Sequence, residues 1–232
     1  MRIAVYSGSF NPLHIGHQAI MEYLTRETEY DWVYLVVSPK NPLKEGIQAE
    51  SALDRYKAAV EAVRRHPELR VRVDDIELRM PPPQYTIKTL DALKQREPDN
   101  DFTLVMGADN LENIHNWRDF RRILSDYGVV VYPRKGFDLE AIRTDLLEEC
   151  KSCPSPYVLD ASESVPEGFH GLEETLARSF RIEIISAPMV DISSTMIREG
   201  IAAGKDMSRW LMWPSPPGRA CPAGEDMSRW LM

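Results

Sequence analysis

Two hydrophobic periods take turns along this chain. Short apolar runs at residues 3–7, 32–38, 71–73, 102–106, 128–132 and 181–187 read as strands, and the nearly continuous 32–38 has the pattern of a strand buried on both faces of a parallel sheet. Between them, residues 17–26, 52–65, 86–96, 119–127 and 194–203 carry helical spacing, as in the stripe Leu53, Tyr56, Ala59, Val60 and Val63. Strands separated by helices of this length imply right-handed crossovers and an α/β fold with a doubly wound, mainly parallel sheet. Ligands of such sheets lie beyond the carboxyl ends of the strands, where the strand order reverses. The polar segments 8–17, 38–44, 107–118 and 133–136 each follow an expected strand, so they are expected to converge on one crevice.

The pattern is irregular over 137–180, where Pro154, Pro156 and Pro166 separate helical stretches at 139–149 and 172–180. We expect one domain over 1–205, with 137–180 as an insertion, followed by a C-terminal extension over 206–232. That extension holds a near repeat. Residues 203–212, AGKDMSRWLM, return as 223–232, AGEDMSRWLM, across a Pro-rich linker. Two copies are too few for a solenoid, so a local duplication with a dispensable second copy is expected, the other reading being an oligomer contact through exposed Trp and Leu side chains.

Composition narrows the partners. With 28 basic and 36 acidic residues the net charge is −8, which argues against broad attraction to nucleic acid or to acidic membranes. No apolar stretch is long enough to span a bilayer and no leader pattern precedes the first strand, so a cytoplasmic protein is expected. Cys150, Cys153 and Cys221 are odd in number. Cys150 and Cys153 lack the second ligand pair a zinc site needs, and no protein metal site is expected.

The candidate chemistry starts at Gly8-Ser9-Phe10-Asn11-Pro12-Leu13-His14-Ile15-Gly16-His17. Two histidines three apart at a helix start share one face of the first turn, where open N–H groups and the helix dipole favour an anion. A lone histidine there is more often a cap or a packed side chain. The strand, turn and helix around this pair are the context that phosphate motifs require. Further on, Gly107 lets backbone approach a ligand closely, Asp109 can accept from ribose hydroxyls, and Trp117 offers a face for a ring, against the plainer reading of a cap and a core tryptophan. At 191–198, DISSTMIR, hydroxyls and open N–H groups make a second phosphate cradle with Arg198 one turn in.

The His-x-Gly-His segment resembles the signature of the nucleotidyltransferase superfamily, shared with class I aminoacyl-tRNA synthetases, and its wording is similar to the bacterial nicotinate-mononucleotide adenylyltransferases. The resemblance covers 1–135 and 181–205 and implies a Rossmann-like nucleotidyltransferase fold that moves AMP from ATP to nicotinate mononucleotide. It implies His14, His17, Lys44 and Arg198 as catalytic groups. Gly8, Ser9, Phe10, Gly107, Asp109, Ile192, Ser193, Ser194 and Thr195 would join His14, His17 and Arg198 around ATP, and Asn11, Lys44, Thr86 and Trp117 would hold the mononucleotide. Lys44 takes the place of the family's Pro-x-x-Lys lysine, with Lys40 the weaker candidate, and Thr86 after Tyr85 borders the pyridine. The implied cofactor is Mg²⁺ on the ATP phosphates; the implied partners are ATP, nicotinate mononucleotide and, as an open arrangement, a homo-oligomer. Competing readings are an acceptor other than nicotinate mononucleotide, such as its amide, and a non-catalytic ATP sensor. A synthetase fragment is disfavoured, since no Lys-Met-Ser-Lys-Ser loop is present.

Overall fold

The computed structural model describes residues 1–39, 51–152 and 180–212. Six strands, β1 (Arg2–Gly8), β2 (Trp32–Val37), β3 (Val71–Asp74), β4 (Asp101–Gly107), β5 (Val129–Tyr132) and β6 (Ile182–Ile184), form one sheet in the order β3-β2-β1-β4-β5-β6. Every pairing is parallel. The order reverses between β1 and β4, whose last residues are Gly8 and Gly107, so the crevice opens between two of the segments singled out above.

Among the described residues there are eight α-helices: α1 (Ile15–Arg26), α2 (Ala52–Arg64), α3 (Ile76–Arg79), α4 (Thr86–Arg96), α5 (Ala108–Glu112), α6 (Phe120–Arg122), α7 (Leu139–Ser152) and α8 (Ser194–Ala202). Period-2 alternation sorts the central strands between two cores. Ile3, Val5, Leu104, Met106, Val129 and Val131 face α4 to α7, whereas Ala4, Tyr6, Val33, Leu35 and Val130 face α1 and α2. Both faces are covered, which is why β1, β2 and β5 read as unbroken apolar runs.

Several expectations shift. On α2 the inward stripe is Arg55, Ala59 and Ala62, spaced i, i+4, i+7. Leu53 is 54% and Val60 39% exposed, because the helix is rotated about one position from the stripe drawn on apolar residues alone. The helix expected over 119–127 begins with Asp119 in the left-handed region (φ 53°) and passes after α6 into a π turn, Ile123–Tyr127. That wider turn closes when the Gly128 N–H donates to the Ile123 carbonyl at 2.8 Å. Helix α4 begins at Thr86, as the spacing predicts, and Tyr85 occupies its cap without a side-chain capping bond.

Part of the expected insertion belongs to the body of the fold, since α7 buries Leu139 and Leu146 in the first core. The helix expected over 172–180 lies outside the described residues, apart from Phe180, as do Cys153, Cys221 and the tail from 213. Among the described residues no helix is long and apolar enough to cross a membrane.

Candidate active site

Helix α1 starts where the turn after β1 delivers two imidazoles that cap it. His14 occupies the N-cap with extended backbone, and its Nδ1 accepts from the Gly16 N–H at 3.2 Å. His17, three residues in, returns the bond: its Nδ1 accepts from the His14 N–H at 3.2 Å, a capping box built from two histidines. The rings stack with centroids 3.6 Å apart. Capping and chemistry are therefore one device. An Nδ1 that accepts carries no proton, so each neutral ring holds its proton on Nε2, a tautomer inferred from the bonding pattern.

Burial, with help from the Arg134 cation, lowers the His14 pKa from 6.5 to about 4. Burial first, then His14 and Arg134, holds His17 well below its usual value too. Both rings are neutral Nε2–H donors at pH 7. The glycine between them is sterically required, because a Cβ at position 16 would lie 3.0 Å from the His14 ring and 3.3 Å from Ile192 Cγ2.

The third motif braces the first. Ser193 caps α8 by accepting from the Met196 N–H at 3.2 Å, the Ser194 hydroxyl donates to the Pro12 carbonyl at 3.1 Å, and Arg198 donates to the Asn11 carbonyl. Its other Nη donates to Thr195 Oγ1 at 3.0 Å. The hydroxyls of Ser193 and Ser194 thus hold the helix and the histidine turn, while the N–H groups of Ser194 and Thr195 have no intrahelical partner and remain the cradle. Phe10 is 5% exposed and packs edge-on against Tyr6 and His17; its ring lies over Gly8, so the side chain is a wall of the turn. Asn11 is buried. Ser9 presents its carbonyl to Arg55.

Across the crevice, Asp109 on α5 lies with Oδ1 2.9 Å from Arg134 Nε, in the segment after β5. The contact is an ion pair without hydrogen-bond alignment, leaving this buried oxygen without a hydrogen-bonding partner. Gly107 makes room for it, since a Cβ there would sit 2.5 Å from Asp109 Oδ1 and 2.8 Å from Arg134 Nε. Gly107→Ala is expected to split the pair. Stability should change by less than about 1 kcal/mol, as for other half-exposed ion pairs; a larger loss in denaturant unfolding would show that the pair holds the fold.

Thr86 opens α4, and Trp117 follows the 3₁₀ turn Ile114–Asn116. The Arg118 guanidinium lies 5.1 Å from the Tyr85 ring centroid and Lys88 5.4 Å, and Tyr85 and Trp117 both pack, half-buried, against the α4–α7 core. Lys44 and Lys40 lie outside the described residues. Among the described residues no group of three His, Cys, Asp or Glu side chains is arranged to hold a metal ion.

Three groups escaped sequence reasoning. Arg134 falls in a segment noted only as polar. Arg55, 3% exposed, donates to the carbonyls of Ser9, Ser38 and Pro39, placing a buried cation under two turns at the crevice. Glu77, 4% exposed, accepts from the Ser7 hydroxyl at 3.1 Å and the Thr89 hydroxyl at 3.0 Å, with its pKa raised by burial against those bonds. No motif announced either buried charge: Arg55 lay off the apolar stripe of its helix, and Glu77 lies in α3, a short helix the periodicity did not predict.

A parallel sheet reversing beside a capped, dipole-backed imidazole pair defines a nucleotide-binding α/β domain of the nucleotidyltransferase type. Residues 5–200 match the family described as cytidylyltransferase-like. Two relatives named "Probable nicotinate-nucleotide adenylyltransferase" are 32% identical over 207 residues in Flavobacterium johnsoniae, covering 89% of this chain and 90% of the relative, and 34% over 214 residues in Porphyromonas gingivalis, covering 92% and 91%. The chain belongs to the nicotinate-nucleotide adenylyltransferases of the cytidylyltransferase-like family. The fold is similar to that of the Plasmodium falciparum nicotinic acid mononucleotide adenylyltransferase solved with NaAD, at TM-score 0.62, 14% identity and 90% coverage of each chain. It is also similar to that of a putative nicotinate-nucleotide adenylyltransferase from Vibrio parahaemolyticus, at TM-score 0.54, 19% identity and coverage of 90% of this chain and 92% of that one.

Proposed function

We propose that this protein transfers the adenylyl group of ATP to nicotinate mononucleotide, giving the deamido dinucleotide and pyrophosphate, in the cytoplasm. The observation that carries the reading is the histidine pair at the switch point, with both Nδ1 atoms occupied and both Nε2–H groups left to donate. A phosphate oxygen of the mononucleotide attacks the α-phosphorus of ATP in line; the bond to the β-phosphate oxygen breaks and pyrophosphate leaves. No protein nucleophile takes part. Catalysis consists of positioning and of stabilising charge on the phosphate oxygens.

His14 and His17 donate to the α- and β-phosphates. Arg198 keeps the histidine turn in place while its charge, with that of Lys44, offsets the charge of the polyphosphate, and the N–H groups of Ser194 and Thr195 add a second cradle. The Asp109 carboxylate, whose side chain is 43% exposed, accepts from a ribose hydroxyl, and Arg134 contributes positive potential between Asp109 and the rings. A divalent cation accompanies ATP in this chemistry; we assign it as Mg²⁺ carried on the phosphate oxygens.

At the acceptor end, Trp117 stacks on the pyridine. The uncapped start of α4 offers N–H groups near Thr86, with the Arg118 and Lys88 cations 5.1 and 5.4 Å from the Tyr85 ring centroid. Those surroundings favour a carboxylate over a neutral amide. Pyrophosphate release measured with ATP and either nicotinate mononucleotide or its amide should favour the acid by about 10² in kcat/KM, the worth of a hydrogen bond to a charged group of about 3 kcal/mol. Equal rates would remove the acid from the assignment. ATP binding without pyrophosphate release from any mononucleotide would favour the sensor reading.

A further inference from the structure

Two buried carboxylates from the corner between β3 and α3 hold helix α4, one at each end. At its last turn Arg96 donates from both Nη atoms to Asp74, at 3.0 and 2.6 Å. Asp74 also accepts from the Ile76 N–H and lies 3.7 Å from Arg72, so this end is an ion-pair tie to the edge strand. At its first turn the Thr89 hydroxyl donates to Glu77 at 3.0 Å, while the Thr89 N–H closes the turn on the Tyr85 carbonyl at 3.2 Å. Thr89 is 1% exposed.

The two ends differ in kind. Among the described residues no cation pairs with Glu77; its partners are the hydroxyls of Thr89, Ser7 and Ser38. Ser7 precedes the glycine that leads from β1 into the histidine turn, and Ser38, its Oγ 3.1 Å from Ser7 Oγ, donates its N–H to the Gly8 carbonyl at 2.9 Å. Glu77 therefore joins the strand that delivers the histidines to the first turn of α4. A carboxylate only accepts, so it orients the hydroxyls that surround it. Burying a charge without a counter-ion is costly, and packing alone is served better by an apolar side chain. The feature that this cost maintains is the placement of α4 against β1.

We propose that Glu77 is a positioning residue for the acceptor: through Ser7 and Thr89 it sets the start of α4, with Thr86 and the open N–H groups, against the histidine turn. The proposal rests on the assignment of that helix start to the acceptor mononucleotide.

The test is made in the full chain. Glu77→Gln keeps the size but puts an amide donor among hydroxyls, and Thr89→Val removes the hydroxyl at nearly constant shape. Each should raise the KM for nicotinate mononucleotide about tenfold, leave the KM for ATP within about twofold, and shrink the rise in melting midpoint that nicotinate mononucleotide produces. Thr89→Ser, which restores the hydroxyl, should keep the acceptor KM within about twofold of the unaltered protein. The double variant Glu77→Gln/Thr89→Val should be no worse than the worse single one, since both cut the same link. Arg96→Gln loosens the other end and serves as the structural control: it should lower the midpoint by about 5 °C with both KM values within about twofold. The proposal is overturned if Glu77→Gln and Thr89→Val lower only the midpoint, if they raise both KM values equally, or if Arg96→Gln raises the acceptor KM as much as they do. Trp117→Ala separates the two readings. An acceptor KM raised by Trp117→Ala but not by Glu77→Gln overturns the positioning role alone, and one raised by neither overturns the acceptor assignment with it.

Discussion

Replacing His17 with alanine is expected to lower the turnover of adenylyl transfer by on the order of 10² or more, the worth of one preorganised donor aimed at developing phosphate charge. The ring has two functions, and the substitution must separate them. Its Nδ1 accepts from the His14 N–H, so alanine removes a cap as well as a donor and should cost about 1 kcal/mol of stability. His17→Gln resolves the ambiguity, because glutamine at this third helical position can still accept from the capping residue but offers no Nε2–H. It should melt near the unaltered protein and still lose most of the turnover. A folded His17→Gln protein turning over within threefold of the unaltered enzyme would reject the donor role.

Acidification should destabilise the protein through the same rings. In the folded protein His14 stays neutral down to about 4, whereas in the unfolded chain it takes a proton at its ordinary 6.5. Between those values the unfolded state binds the extra proton, so stability is fully present above pH 6.5 and falls as the pH drops towards 4. The loss from His14 alone is about 3 kcal/mol, and His17, shifted in the same direction, adds to it. Protonation of Nδ1 would also abolish the acceptor that caps α1, so the cap and the neutral state fail together. The measurement is denaturant unfolding across this range in the unaltered protein and in His14→Asn, whose amide oxygen is a good N-cap without a titrating ring. Parallel pH profiles for the two proteins would refute the assignment. Carboxylates titrating in the same window affect both alike and cancel in the difference.

Much of this molecule was legible in one dimension because its information is local. Apolar runs at 3–7 and 32–38 could only be doubly covered strands, and alternation with helices implied the parallel sheet. The His-x-Gly-His spacing put two rings on one turn whatever lay around them. Its glycine is explained in part by a local neighbour, the His14 ring, and in part by Ile192, which the fold brings from far along the chain. Where the reading slipped, a long-range partner was responsible. The rotation of α2 follows from Arg55, a charged residue drawn inward by three carbonyls of the turns at Ser9 and Ser38–Pro39, which no apolar periodicity can register. The left-handed Asp119 and the π turn after it likewise reflect how that segment must close onto Gly128 and β5.

The amino-acid order by itself determined the fold class, the polar segments after the strands and the identity of the paired imidazoles, since each rests on patterns among near neighbours in the chain. Only the tertiary structure decided their protonation, because that depends on burial and on Arg134, which the strand order β1-β4-β5 carries to the crevice from far along the chain. It also decided that Asp109 meets Arg134 over Gly107, and that the first repeat closes on His14. Those are meetings of distant segments, and hydrophobic periodicity holds no record of which distant segments meet.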